Sequence, residues 1–286
     1  NSGRTMLAQC PGLLSKSSWL WRTFESLSVY PVPRVDGALE LDGRLDDATW
    51  QTAPVVSGFT VFETDTLCEV QTAFRVLYDD EYLYFGIHCD EPKMAQLLPT
   101  RVSLDEHGIF RTETIELFLD PGHTHNLYYQ LAFNAGGSLY DGERESTQWN
   151  SDAVVKPHLG EDFWSVELAV PWRKLGGEVV SGRVLGFNLN RDRHLSGNGE
   201  WMTWARVQGG FHDPDRFAHL VLSGTPEMIG GLGDELRKGN RTGPMHIYSP
   251  EGFSQQTYSG LAAVTLDGAS LGRMLTQRSC RKQASG

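Results

Sequence analysis

Residues 110–137 read FRTETIELFLDPGHTHNLYYQLAFNAGG, and the alternation inside this stretch decides the fold. Side chains alternate between the two faces of a strand. Over Glu113–Asp120, Ile115, Leu117 and Leu119 therefore share one face, and Thr114, Glu116 and Phe118 share the other. Pro121-Gly122 marks a turn, and a return strand over Leu127–Asn134 sets Tyr129, Leu131 and Phe133 against Tyr128, Gln130, Ala132 and Asn134. Each strand thus carries one apolar row and one row containing Glu, Gln or Asn. The apolar rows need a second layer to cover them. The mixed rows form either a solvated sheet face or the floor of a binding site.

The same pattern repeats in both directions along the chain. Glu69–Tyr78 and Tyr82–Asp90 read as a hairpin turning at Asp79-Asp80-Glu81, and Ala153–His158 and Phe163–Val170 as another turning at Gly160-Glu161-Asp162. Val184–Arg191, Trp201–Val207 and Phe217–Leu222 supply further strands. Two short helical turns are expected. One is capped by Asp46 and buries Trp50; the other lies within Val170–Leu175, with Pro171 at its start. About ten strands with turn residues between them and almost no helical period predict an all-β fold. The expected architecture is an antiparallel β-sandwich, jelly-roll or immunoglobulin-like, with irregular N- and C-terminal extensions.

Composition bounds the rest. The chain has 286 residues, 40% of them hydrophobic, with no run long enough to span a membrane. The formal charge of −11 argues against a nucleic-acid surface. It is concentrated in the middle: the two ends are mildly basic, which leaves 15 basic against 30 acidic residues over 31–224. One domain over residues 31–224 is therefore expected, with an N-terminal extension over 1–30. Residues 225–286 form a Gly-rich tail that is expected to be poorly ordered. The start at Asn1 reads as a processed or partial product, and no intact secretory signal is visible around Leu7–Cys10. Ser17–Leu27 has the spacing of a short amphipathic helix. The four cysteines, Cys10, Cys68, Cys89 and Cys280, lack paired spacing. A tight turn at Asp80 would put Cys68 opposite residue 93, about 13 Å along the strand from Cys89 and beyond disulfide reach. Free thiols are expected.

Six segments then carry a resemblance. Leu41–Trp50 (LDGRLDDATW), Tyr78–Tyr84 (YDDEYLY), Glu113–Asp120 (ETIELFLD), Phe163–Trp172 (FWSVELAVPW), Gly186–Asn188 (GFN) and Asp213–Phe217 (DPDRF) occur in the order found in the family 9 carbohydrate-binding modules. This chain resembles that family over residues 33–224. The resemblance implies a non-catalytic module that holds a mono- or oligosaccharide between two aromatic rings, as an accessory to polysaccharide breakdown. It points to an extracytoplasmic or secreted monomer, or a module of a larger protein. Phe110 and Phe211 stand at the two ring positions, where the family usually has Trp. Glu116, Gln130 and Asn190 stand where the family places groups toward sugar hydroxyls. Calcium as a structural ion is also implied, and the Asp-rich turns offer carboxylates.

The chemistry of these residue types is consistent with a sugar site. Aromatic rings cover the apolar faces of a pyranose, and Glu, Gln and Asn satisfy its hydroxyl rim. Phe in place of Trp gives up some 50 Å² of contact, or about 1 kcal/mol per ring at roughly 25 cal/mol/Å². Trp149, in a polar loop, is a secondary stacking candidate, whereas Trp50, Trp164, Trp172 and Trp204 read as core. Glu113 and Glu116 are the carboxylate pair that glycoside hydrolysis would need. Three apart on one strand, they point to opposite faces and cannot flank one bond, so no catalytic constellation is found. His123 and His125 read as solvent-exposed loop histidines. Asp192 and His194 could meet His212 and Asp213 at one end of the sandwich as structural or rim groups. The alternative is a haem-binding electron-transfer sandwich of the same superfamily, with Met202 and a His or Lys as axial ligands.

Overall fold

A computed structural model describes residues 27–37, 39–195, 197–223, 244–249, 252–257 and 264–267, with side chains described between Val29 and Ser223. In chain order the strands are β1 (Leu27–Val32), β2 (Thr60–Val61), β3 (Thr72–Tyr78), β4 (Tyr82–Asp90), β5 (Thr114–Asp120), β6 (Tyr129–Asn134), β7 (Leu139–Glu143), β8 (Val154–Leu159), β9 (Phe163–Pro171), β10 (Val184–Arg193), β11 (Glu200–Thr203), β12 (Ala218–Leu222), β13 (Pro244–Ser249), β14 (Gly252–Thr257) and β15 (Val264–Asp267). They form two sheets, ordered β15-β14-β13-β1-β12-β10-β5-β6-β7 and β3-β4-β9-β8. Strand β11 pairs with β10, and β2 pairs with β11. Strand β1 runs parallel to both β12 and β13, and the other pairs are antiparallel. The protein is an all-β sandwich.

The apolar rows meet between the sheets. Ile115, Leu117 and Leu119 of β5, Leu131 and Phe133 of β6, and Leu185, Phe187 and Leu189 of β10 pack with Phe74, Val76, Phe85, Ile87, Trp164, Val166 and Leu168 of the smaller sheet. The β3–β4 register pairs Thr72 with Cys89 and Tyr78 with Leu83, the offset that a tight turn at Asp79–Glu81 dictates. Cys68 and Cys89 are free and buried, and burial pushes both thiols up to about 12. The other two cysteines lie outside the described residues, as does nearly all of the expected Ser17–Leu27 helix.

Local differences from expectation have local causes. The first described strand, β1, already includes Leu27, whose backbone pairs with β13, and from Val29 the strand also pairs with β12. Strand β7 has little hydrophobic signal in LYDGE, and pairing with β6 supplies it. The helical turn burying Trp50 spans Ala48–Thr52 with Asp47, not Asp46, at its N-cap and no side-chain capping bond. Strand β11 stops at Thr203 rather than Val207. There the Asn188 side chain accepts the Ala205 N–H at 2.9 Å and replaces a ladder partner. The turn after β9, Trp172–Leu175, falls where Pro171 predicts it.

One buried carboxylate ties the first motif to the sandwich. Glu167 of β9 accepts the Trp50 indole N–H and the backbone N–H groups of Asp42 and Gly43, each at 2.7 Å. Gly43 has φ 88°, and a Cβ there would lie 2.5 Å from the Pro157 carbonyl carbon, so only glycine fits. Burial pushes the Glu167 carboxyl up, and the three donors oppose that shift. Glu167→Ala strands three buried donors and is expected to cost on the order of 3 kcal/mol, read as a fall of several degrees in Tm. A variant that melts with the parent would show that this clamp is not structural.

Candidate functional site

Pairing registers place a cross-strand grid on the outer face of the larger sheet, opposite the core. Tyr140, Ala132, Glu116, Asn190 and Thr203 form one row across β7, β6, β5, β10 and β11. Asn134, Thr114, Asp192 and Trp201 form the row on one side of it. Gly142, Gln130, Phe118 and Asn188 form the row on the other. This face is covered rather than solvated: Glu116, Gln130, Asn190 and Asp192 are 6, 4, 0 and 3% exposed.

The structure brings Glu116, Gln130 and Asn190 together. Gln130 Nε2 donates to Glu116 Oε2 at 2.5 Å, and Asn188 Nδ2 donates to Asn190 Oδ1 at 3.2 Å. Asp192, diagonal to Glu116, completes a carboxyl–carboxyl hydrogen bond. Burial and the neighbouring Asp192 charge push Glu116 well above the usual carboxylate range, so the pair holds a shared proton. Burial also lifts Asp192, to about 6. Asn190 Nδ2 and Asp192 Oδ1, both buried, have no hydrogen-bond partner in the protein.

Two aromatic groups border this floor. Phe110, half-buried on the helical turn His107–Arg111, leans edge-on against Tyr140 at 5.0 Å and packs with Ala132 and Val102. Phe211, also half-buried, packs edge-on against Phe62 at 5.1 Å in a cluster with Phe118, Tyr128, Val207 and Phe217. Ala132 flanks Glu116 across the sheet, and Phe118 follows it on the same face of β5. The two groups therefore meet the floor at different edges. Neither ring is sunk between the sheets.

Trp149 is not brought to this floor. It stacks on Tyr129 at 4.1 Å and packs against the inter-sheet core, because Tyr129 belongs to the inward row of β6. The tryptophan that the grid does supply is Trp201, 51% exposed and paired with Asp192. Alternation over Glu200–Thr203, with Met202 inward, is the sequence signal for it.

The remaining polar residues serve other ends. Glu113 points the opposite way from Glu116: it accepts the His194 and Leu195 N–H groups at 2.6 and 2.8 Å and lies 3.8 Å from Arg191. Arg191 and Arg193 also converge on Glu91, which closes that end of the sandwich. His194 and His212 do not meet. His194 bonds to the Phe110 carbonyl, and His212 to the Tyr128 hydroxyl. His123 and His125 are half-buried rather than solvent-exposed. Asp120 accepts the His125 N–H and folds the turn back, which puts His123 Nε2 2.6 Å from His219 Nδ1. Met202 is wholly inside the inter-sheet core, and that placement gives the haem reading no support. Several aspartates of the turns expected to offer calcium ligands are engaged by local donors. Asp79 takes Glu81 N, Tyr82 N and the Tyr84 hydroxyl, and Asp42 takes Arg44 N. Among the described residues, no three His, Cys, Asp or Glu side chains are placed to hold a metal ion, and no helix is long and apolar enough to cross a membrane.

With this geometry in place, comparison with known proteins is direct. Residues 41–225 match the family described as carbohydrate family 9 binding domain-like, and the chain belongs to that family of binding modules. Similar solved structures include a family 9 carbohydrate-binding module from Caldicellulosiruptor kristjanssonii. Its cellotriose complex is 16% identical, with TM-score 0.51 over 70% of this chain and 95% of that one. Its glucose complex is also 16% identical, with TM-score 0.53 over 71% and 97%. A candidate carbohydrate-binding protein from Bacteroides uniformis is 14% identical, with TM-score 0.55 over 69% of this chain and 99% of that one. No curated protein matches.

The carboxyl pair gives a pH signature. Asp192 titrates near 6 in the folded chain against an ordinary 3.8. A raised acid stabilises the fold fully below its unfolded value, and that contribution is lost as pH rises toward the folded value. The stability difference between Asp192→Asn and the parent should therefore shift in the variant's favour between pH 4 and 6.5. The shift is on the order of 1–3 kcal/mol and is measurable by urea unfolding. A difference that stays flat over that range would mean that Asp192 is not held in this state.

Proposed function

We propose that the chain binds carbohydrate without transforming it. A sugar is held between Phe110 and Phe211, and Glu116, Gln130 and Asn190 contact its hydroxyls. The observation that carries this reading is the polar cluster of Gln130, Glu116 and Asn190, drawn from two adjacent cross-strand rows and bordered at different edges by two half-buried aromatic groups. Such a floor offers fixed donors and acceptors in directions set by the sheet, and the rings cover C–H faces. Family membership supports the same reading, and the similar structures hold cellotriose and glucose, which makes glucose-based oligosaccharides the first ligands to try. Glu113 and Glu116 diverge across β5 and do not face one bond, which supports binding rather than hydrolysis by that pair. The physiological setting that follows is an extracytoplasmic accessory to polysaccharide breakdown.

Titration calorimetry with cello- and xylo-oligosaccharides tests this. Phe110→Ala and Phe211→Ala should each weaken binding by about 5- to 30-fold, the loss of 1–2 kcal/mol of ring contact. Trp149→Phe, distant from the floor, should leave the affinity unchanged. An absence of heat with every sugar at millimolar concentration would overturn the proposal.

A further inference from the structure

The floor is unusual in its charge. Two carboxyls lie against each other on the outer face, and among the described residues no Lys or Arg side chain pairs with either. The arginines on either side of Asp192 in sequence, Arg191 and Arg193, point to the opposite face and are engaged with Glu91 and Glu113. The groups around the pair are Tyr140 on β7, with His107 against it, and Glu113 and His194 at the strand ends. A neutral sugar does not require such an arrangement, since one carboxylate and two amides already satisfy a hydroxyl rim.

Two unpartnered atoms specify what would fit. Asp192 Oδ1 is a buried acceptor without a donor, and Asn190 Nδ2 is a buried donor without an acceptor. They lie on the same face of β10, two residues apart, with Glu116 paired to Asn190 across the sheet. A ligand that presents a cationic N–H group beside an oxygen acceptor completes both.

We propose that this site selects a protonated amino sugar, its ammonium group placed between Glu116 and Asp192 and a neighbouring hydroxyl oxygen accepting from Asn190 Nδ2. This deepens the carbohydrate reading and rests on it. The ammonium takes over the role of the shared proton. The pair releases that proton to solvent on binding, and the ligand's N–H groups donate to both carboxylates. Burial of an ammonium with two carboxylates and a full set of acceptors offsets its desolvation, whereas an uncharged hydroxyl leaves the second carboxyl without a comparable partner.

A ligand series that differs only at C2 tests the assignment. Cellotetraose has a hydroxyl there, tetra-glucosamine an ammonium, and tetra-N-acetylglucosamine an acetamide. At pH 6 the intact chain should bind tetra-glucosamine at least tenfold tighter than cellotetraose, and the acetylated oligomer no better than cellotetraose. Calorimetry in two buffers of different ionisation enthalpy should show between one and two protons released per glucosamine site filled, because Asp192 is itself partly protonated at pH 6. Glu116→Gln and Asp192→Asn should each bring the glucosamine-to-cellotetraose ratio to about one. The chain is acidic overall, with net charge −11, and either variant changes that by a single unit. A preference that survives in both variants is therefore nonspecific attraction and overturns the proposal. Equal affinities in the parent chain overturn it too, while leaving the carbohydrate reading intact. Silence with all three sugars removes both.

Discussion

The pairing of β5 with β10 is the constraint on which the architecture turns. Gly186 to Asp192 run opposite Asp120 to Thr114 in unbroken register. A slip of one residue would send Ile115, Leu117 and Leu119 outward and Glu116 into the core. The register is pinned at one end by ions rather than by apolar packing. Arg191 reaches inward from β10 to Glu91, while Glu113, just ahead of β5, accepts backbone N–H groups just beyond β10. Breaking that buried network would leave charges without partners in a poorly solvated region, which costs far more than the net worth of the pairs.

The outer face follows from the same register. A strand that buries one row must present the next, and here the presented row is itself withdrawn from water. Carboxyls in such a place stay protonated or find hydrogen bonds. Glu116 does both: it takes the Gln130 amide and shares a proton with Asp192. The donors and acceptors of this floor are held by strands rather than by loops, so their directions are set before any ligand arrives. The rings are carried differently. Phe110 rides on a single helical turn and Phe211 on the segment before Pro214.

Much of this is legible in the chain itself. Alternation over Glu113–Asp120 is enough to separate Ile115 from Glu116, and a three-residue turn at Asp79–Glu81 fixes which residue of β4 faces which of β3. Grouping Glu116, Gln130 and Asn190 needed the resemblance as well, because no local rule says which strand neighbours β5. The carboxyl pair was out of reach for that reason: Asp192 and Glu116 are diagonal across strands 76 positions apart. Trp149 illustrates the opposite limit. A tryptophan in a polar loop looks available, yet Tyr129 presents a ring of the right size at the sheet margin and captures it. Strand β7 is invisible because LYDGE has no propensity to announce it, and its neighbour imposes the conformation.

The placement of Trp201 gives the molecule an optical handle. Trp50, Trp164, Trp172 and Trp204 are enclosed and Trp149 lies on Tyr129, which leaves Trp201, among the described tryptophans, as the one with half its surface in water. It is the cross-strand partner of Asp192. Events at the acidic pair change the field and hydration around that one fluorophore, while the enclosed rings supply a steady background.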